Sequence, residues 1–124
     1  AGTNGIPADA IGIIANVTVV APTSRGWATV YPAGASAPLV SNVNATVPGE
    51  TIPNLATVGL DASGRVAILY GGGGTAQLLI DVLAYIGPES EHGVGLVMAP
   101  VGAQFKALDT AKTGKLAAGT TTKV

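Results

Sequence analysis

Ala-Ile-Gly-Ile-Ile-Ala-Asn-Val-Thr-Val-Val, residues 10–20, is the stretch that decides the fold. Its odd positions fall on one side of a strand and its even positions on the other, because side chains in a strand alternate with period two. Both sides are largely apolar and rich in β-branched residues, which pack well on a pleated surface. The stretch therefore predicts a central strand that is covered on both faces.

Further strand-like segments follow this one at intervals of about ten residues, and no segment has helical periodicity. They span residues 27–31, 39–47, 52–60, 65–70 and 76–85, with weaker candidates at 94–100, 104–108 and 116–124. This spacing predicts a single all-β domain over residues 1–124, with two packed antiparallel sheets and about eight or nine strands. The sandwich is expected to be either jelly-roll-like or immunoglobulin-like.

Glycine, proline and polar residues mark the connections between these segments. Residues 21–26 and 61–64 are predicted to be hairpin turns, and Pro48-Gly49 is predicted to be a turn with Gly after Pro. Gly71–Gly74 is predicted to be a loop. The polar segment 87–95 is interpreted as a surface loop or hinge.

The predicted core is aliphatic, because aromatic residues make up only 4% of the chain. Each of the main predicted strands contributes at least one apolar residue to this core. The core is expected to contain Ile13, Ala15, Val17, Val30, Val43, Leu55, Val58, Ile68, Leu79 and Val82.

The charge of the chain is low, with 10% charged residues and a net charge of −1. Ordinary soluble domains carry about 25% charged residues, so much of this surface is expected to contact other protein. The low charge also argues against nucleic acid as a partner, because nucleic acid is bound by a basic face. No apolar run reaches the ~18 residues of a membrane span.

No catalytic constellation is found in the sequence, and neither an enzyme activity nor a cofactor is expected. A catalytic role for Asp81 would need a second carboxylate or a histidine partner nearby, and the single histidine, His92, lies in the polar loop, so no triad is supported. His92, Glu89 and Glu91 are interpreted as a solvated loop rather than as metal ligands.

Two groups of residues are candidates for binding sites. Trp27, Tyr31, Asn42 and Asn44 would form a glycan-binding site if the rings are exposed and the amides converge. The alternative is that the rings lie in the core and the amides, together with Asn16 and Asn54, bond to backbone groups.

Several motifs occur in an order that resembles a known family. They are Pro7-Ala8-Asp9-Ala10, Asn16-Val17-Thr18, Thr29-Val30-Tyr31-Pro32, Ser41-Asn42-Val43-Asn44, Pro53-Asn54 and Asp81-Val82-Leu83-Ala84-Tyr85. The chain is similar, over about residues 5–85, to a β domain repeated in secreted and cell-surface proteins of actinobacteria. Leu108-Asp109-Thr110-Ala111 departs from the family's Leu-Asp-Thr-Arg motif, and it follows the other motifs instead of preceding them. The resemblance implies a non-enzymatic module at an extracellular or cell-surface location.

These observations favour a structural module of an extracellular surface structure, a filament or a phage-like particle, whose partners are copies of itself. The alternative is a module that binds carbohydrate or cell-wall glycan. The terminal segment 115–124 is predicted to be a strand, and either this strand or the lead-in 1–10 is expected to cross to a neighbouring copy, since a strand added to an open edge satisfies its backbone groups. The alternatives are a tandem array of such units in one polypeptide and an isolated domain whose terminal strand folds back on its own sheet. The residues assigned to this contact are Lys115, Leu116, Ala118, Thr120, Thr122 and Val124.

Overall fold

The computed structural model describes residues 1–90, 93–98, 105–109 and 114–124, which form ten strands and no helix. The strands lie in two antiparallel sheets that pack face to face around an aliphatic core. The predicted all-β fold with two antiparallel sheets is confirmed.

The first sheet is built on β1 (Gly12–Val20), which lies between β4 (Thr51–Gly59) and the long strand β6 (Thr75–Ser90). Three short strands lie along the other side of β6: β7 (Gly93–Met98), β8 (Phe105–Asp109) and β9 (Leu116–Ala117). The three strands pair with successive parts of β6: β7 begins with Gly93 opposite Ser90, and β9 ends with Ala117 opposite Thr75. Together they form one interrupted edge of the first sheet.

The second sheet has the order β10-β5-β2-β3. Its strands are β2 (Gly26–Pro32), β3 (Val43–Ala45), β5 (Val66–Gly72) and β10 (Thr120–Lys123). The open edges of this sheet are therefore β3 and β10, and the fully described open edge of the first sheet is β4.

The core consists of the inward positions of both sheets, and eight of the ten predicted core residues are buried. The prediction is wrong for Leu55, because 59% of this residue is exposed to solvent, and Leu79 is only half-buried. In register, Leu55 lies opposite Asn16 and Leu79 lies opposite Thr18, which are outward positions of β1. On β4 the alternate residues Ala56 and Val58 face the core instead.

β1 is central in its sheet, as predicted, but its two faces differ. Its inward side chains are buried, whereas Ile14, Asn16 and Val20 on the outward face are only half-buried. The expectation of a strand covered on both faces is therefore correct for one face and only partly correct for the other.

The two predicted hairpin turns are wrong, because each one joins strands of different sheets. Residues 21–25 carry the chain from β1 to β2, and residues 60–65 carry it from β4 to β5. Ala21 adopts a φ of +46° and Pro22 is fully buried, so the chain turns inward there. The Pro48-Gly49 turn forms as predicted, with Gly49 at a φ of +83°.

The alternating segment 39–47 forms a strand only at Val43–Ala45. Before β3 the backbone is bound by side chains: the Thr29 hydroxyl donates to the Val40 carbonyl oxygen at 2.6 Å, and the Val30 N–H donates to Asn42 Oδ1 at 2.7 Å. These bonds replace part of a strand ladder with a loop that folds over β2.

The segment 87–95 is not a surface loop in its described part. β6 continues through Gly87 to Ser90, and β7 begins at Gly93, where Ser90 and Gly93 are register partners. His92 and Glu91 lie outside the described residues. Pro88 interrupts the ladder at a register shift between Ile86 and Glu89, which is a tolerated place for a proline in a sheet.

Tyr70 is the largest fully buried side chain, and its hydroxyl has no hydrogen-bond partner among the described residues. The hydroxyl lies close to Gly26, where a Cβ would be 2.5 Å from it. Burial raises the pKa of this phenol above its usual value. The group is therefore desolvated without a compensating bond, which costs free energy.

We expect Val17→Asp to prevent folding and Leu55→Asp to be tolerated. Val17 has no exposed surface, so an aspartate there places an unpaired charge in the core, at a cost of about 4 kcal/mol or more. The exposed position 55 should change the free energy of unfolding by only ~0.5 kcal/mol. Thermal unfolding of both variants checks the register of β1 and β4, and a stable Val17→Asp protein would contradict it.

We expect Tyr70→Phe to leave stability unchanged or to raise it by about 1 kcal/mol, since the change removes an unpaired buried hydroxyl and keeps the ring. Denaturant unfolding measures this effect. A clear loss of stability would show that the hydroxyl has a partner in solution, such as a bound water.

Candidate functional site

A groove on the outer face of the second sheet is the candidate site. It has a volume of about 340 Å³, and its wall is the loop before β3. The residues that line it are Trp27, Ala37, Pro38, Leu39, Val40, Ser41, Asn44 and Leu69. We call this feature the Trp27 groove.

The Trp27 ring is held in place by the neighbouring strand. Trp27 on β2 is the register partner of Gly71 on β5, and a Cβ at position 71 would lie 2.5 Å from the indole atoms Cε2 and Cζ2. The missing side chain of Gly71 lets the indole lie against the backbone. Even so, 42% of Trp27 is exposed to solvent.

The loop wall of the groove is fixed by backbone and side-chain bonds. The Asn42 N–H donates to the Ala28 carbonyl oxygen at 2.8 Å, and Asn54 Nδ2 donates to the Asn42 carbonyl oxygen at 2.6 Å. Because these bonds tie the end of the loop to β2 and to β4, the loop is anchored to both sheets. Leu39 and Val40 are nevertheless left outside the core, with exposed fractions of 105% and 65%.

The four asparagines weighed above as glycan ligands or as backbone partners divide between two roles. Asn42 and Asn54 bond to backbone groups, as the structural alternative expects, and Asn16 Nδ2 donates to the Thr18 hydroxyl at 3.4 Å. Asn44 lines the groove opposite Trp27 in register, and its Oδ1 accepts a bond from the Ser41 hydroxyl at 2.9 Å. The structure thus places one amide of the four beside the exposed ring.

Tyr31 does not reach the groove. It is 7% exposed and packs with Ala33, Ala67 and Leu69 on the outer face of the same sheet. Trp27 and Asn44 are therefore the two predicted glycan-site residues that the groove brings together. Sequence reasoning missed the groove residues Leu39, Val40 and Leu69, because it assigned all three to strands with ordinary alternation.

No ionisable side chain lines the Trp27 groove. Within the described part of the chain, no cluster of His, Cys, Asp or Glu has the arrangement of a metal site. In the same described part, one ion pair is found, between Arg65 and Asp61 at 3.5 Å, and it lies in the connection before β5, away from the groove. The hydrogen bond from the Arg65 backbone N–H lowers the pKa of Asp61. The groove therefore offers an apolar surface with a neutral polar rim.

The terminal segment 115–124 closes the side of the sandwich. It runs from β9 beside β6 to β10 beside β5, and it changes sheets at Gly119, which has a φ of +80°. Leu116, Ala118 and Val124 pack against the core, Thr120 and Thr122 are half-buried, and Lys115 is exposed. In this single chain the segment pairs with its own sheets, and its exchange between copies stays a prediction.

A second cavity of about 250 Å³ opens where the first and last described residues meet. The Ala1 ammonium group donates to the Gly64 carbonyl oxygen at 2.5 Å, and Val124 exchanges two backbone bonds with Val66. The walls are mainly apolar, with Ile6, Ile13 and Val82 among them. Thr3, Asn4 and the Ala1 ammonium group also line this cavity, but no aromatic ring does, so the Trp27 groove is taken as the candidate site.

Comparison with protein-family models, with curated proteins and with solved structures found no match. Among the described residues, no helix is long and apolar enough to cross a membrane.

We expect Gly71→Ala to displace the Trp27 ring, because the added Cβ would occupy the space of the indole. Trp27 is the only tryptophan, so its fluorescence reports this movement directly, and its emission should shift to the red as the ring enters water. Gly34→Ala is the control, since the nearest atom to its Cβ is 3.9 Å away. Equal emission spectra for the two variants would contradict the contact.

Proposed function

We propose that this chain is a non-enzymatic structural module that assembles with copies of itself in an extracellular surface structure, such as a filament or a phage-like particle. The observation that supports this most directly is the group of exposed apolar side chains at the Trp27 groove. Trp27, Leu39 and Val40 lie together there, and none of the groove-lining residues is charged.

Single exposed apolar residues are normal on protein surfaces, but a group of them is typical of a contact site. Large exposed apolar side chains also occur elsewhere in the described part of the chain: Ile11, Val47, Leu55, Leu96 and Val97. The net charge of −1 gives little repulsion between copies. The resemblance to repeated surface domains supports the proposed extracellular location.

We expect wild-type protein to self-associate with rising concentration and Leu39→Lys to weaken that association about tenfold, since the lysine would place an unpaired charge in an apolar contact. Val47→Lys is the control, because it adds the same charge to an exposed apolar position outside the groove. Sedimentation velocity over a concentration series measures the effect. Wild-type protein that stays monomeric throughout would contradict the proposed function.

A carbohydrate-binding module is the second candidate, and the placement of Trp27 beside Asn44 favours it. An exposed indole face can stack on a sugar ring, while an amide and a hydroxyl at the rim can bond to its hydroxyl groups. Because the lining residues are uncharged, a neutral sugar suits this groove better than an acidic one.

Titration with soluble peptidoglycan fragments and neutral oligosaccharides distinguishes the two candidates. Sugar binding predicts a saturable change in Trp27 fluorescence that Asn44→Ala weakens, at protein concentrations where the chain is monomeric. A fluorescence change that depends on protein concentration alone, and not on added sugar, favours assembly.

A further inference from the structure

The edge strand β4 exposes a row of backbone groups that a second strand can use. Two hydrogen bonds at the ends of β4 show which of its backbone groups face β1. The Ala21 N–H donates to the Glu50 carbonyl oxygen, and the Leu60 N–H donates to the Ile11 carbonyl oxygen. Backbone groups in an antiparallel strand alternate in direction, so the even positions of β4 face β1. The backbone groups of Thr51, Leu55, Thr57 and Gly59 therefore face away from the sheet.

The position of Pro53 agrees with the assignment of odd β4 positions to the outer edge, and its missing N–H shortens the part of that edge that can pair. It lies at an odd position of β4, where the missing N–H costs no bond to β1. Proline, lysine and short strand length are the usual means by which proteins block edge pairing. On β4 only the first half carries such protection, because the sequence from Leu55 to Gly59 contains no proline and no charged residue.

The other two fully described edges are better protected. β3 has only three residues. On β10, Val124 and Val66 exchange two bonds, so the groups facing away belong to Thr121 and Lys123, and Lys123 is an exposed charge at the edge. Among these edges, residues 55–59 offer the longest uncharged run of outward-facing backbone groups.

This run is complementary to itself. If two copies pair antiparallel about a twofold axis at Thr57, Thr57 meets Thr57 of the second copy, and Leu55 meets Gly59. Each of these pairs can exchange two N–H···O bonds, while Pro53 lies beyond the paired run. Leu55, which is 59% exposed, would lie opposite the one position of the run that has no side chain.

We propose that residues 55–59 of β4 form the contact between two copies of this chain by antiparallel edge pairing about Thr57. This inference rests on the proposed assembly function and adds a second contact to the one at the Trp27 groove, placing it at β4 instead of the terminal strand β10. Leu55 meets no obstructing side chain across the pair, because its partner is Gly59 of the second copy. The occupant is a second copy, since the register satisfies both strands at once.

Single-cysteine cross-linking tests the proposal, because the chain contains no cysteine of its own. Paired residues that exchange two bonds have Cα atoms about 5.5 Å apart, so Thr57→Cys should be linked rapidly to a dimer by a short bifunctional maleimide. Thr121→Cys, at an exposed position on the rival edge β10, is the matched control and should be linked much more slowly.

Thr57→Pro provides the second test. The Thr57 N–H faces away from β1, so proline removes no bond within the chain but removes two from the pair. We expect an unchanged circular dichroism spectrum and at least tenfold weaker dimerisation in sedimentation equilibrium. Leu55→Lys, which places a charge on the same edge without changing the backbone, should weaken dimerisation in the same direction.

The outcomes separate this inference from the proposed function. Wild-type protein that is monomeric at every concentration overturns the assembly function itself. Wild-type protein that self-associates while Thr57→Cys is not linked, whether or not Thr121→Cys is linked, overturns only the β4 contact. Rapid linkage of Thr57→Cys together with the loss of dimers in Thr57→Pro supports it.

Discussion

The register of β1 between β4 and β6 is the constraint on which the rest of the structure depends. It directs Val17 and Val19 of β1 into the core, together with Ile80 and Leu78 of β6. A slip of one residue would exchange the two faces, since side chains alternate with period two. The same register sets the direction of every backbone group on β4. The buried core and the free edge are therefore two results of one alignment.

The sequence was sufficient to predict the fold class, because alternation within a segment is local. It could not predict which sheet each strand joins. The connections after β1 and after β4 contain the same Gly, Pro, Ser and Asp residues that a hairpin would contain, yet both cross between sheets. Turn chemistry specifies that the chain reverses, and packing of the two sheets decides where the next strand lies.

The candidate site was predictable only in part, for a similar reason. Trp27 and Asn44 are neighbours because β2 and β3 pair, which the short separation of the two segments suggests. The exposure of Leu39 and Val40 has another cause: Thr29 and Asn42 side chains take the backbone bonds that a strand partner would have made. The contrast between exposed Trp27 and buried Tyr31, two outward positions of one strand, depends on their different surroundings on the outer face.

The β4 edge and the Trp27 groove belong to different sheets, so one copy can use both at the same time. A twofold contact closes after two copies, whereas a filament needs a second contact in each copy that does not close with the first. The proposed edge pairing at β4 would extend one sheet sideways and leave the outer face of the other sheet unchanged. The groove on that face is therefore available either for a second contact between pairs or for a neutral sugar. Its uncharged lining is compatible with both occupants. If copies pair at β4 as proposed, the occupant of the Trp27 groove would decide whether assembly ends at a pair or continues.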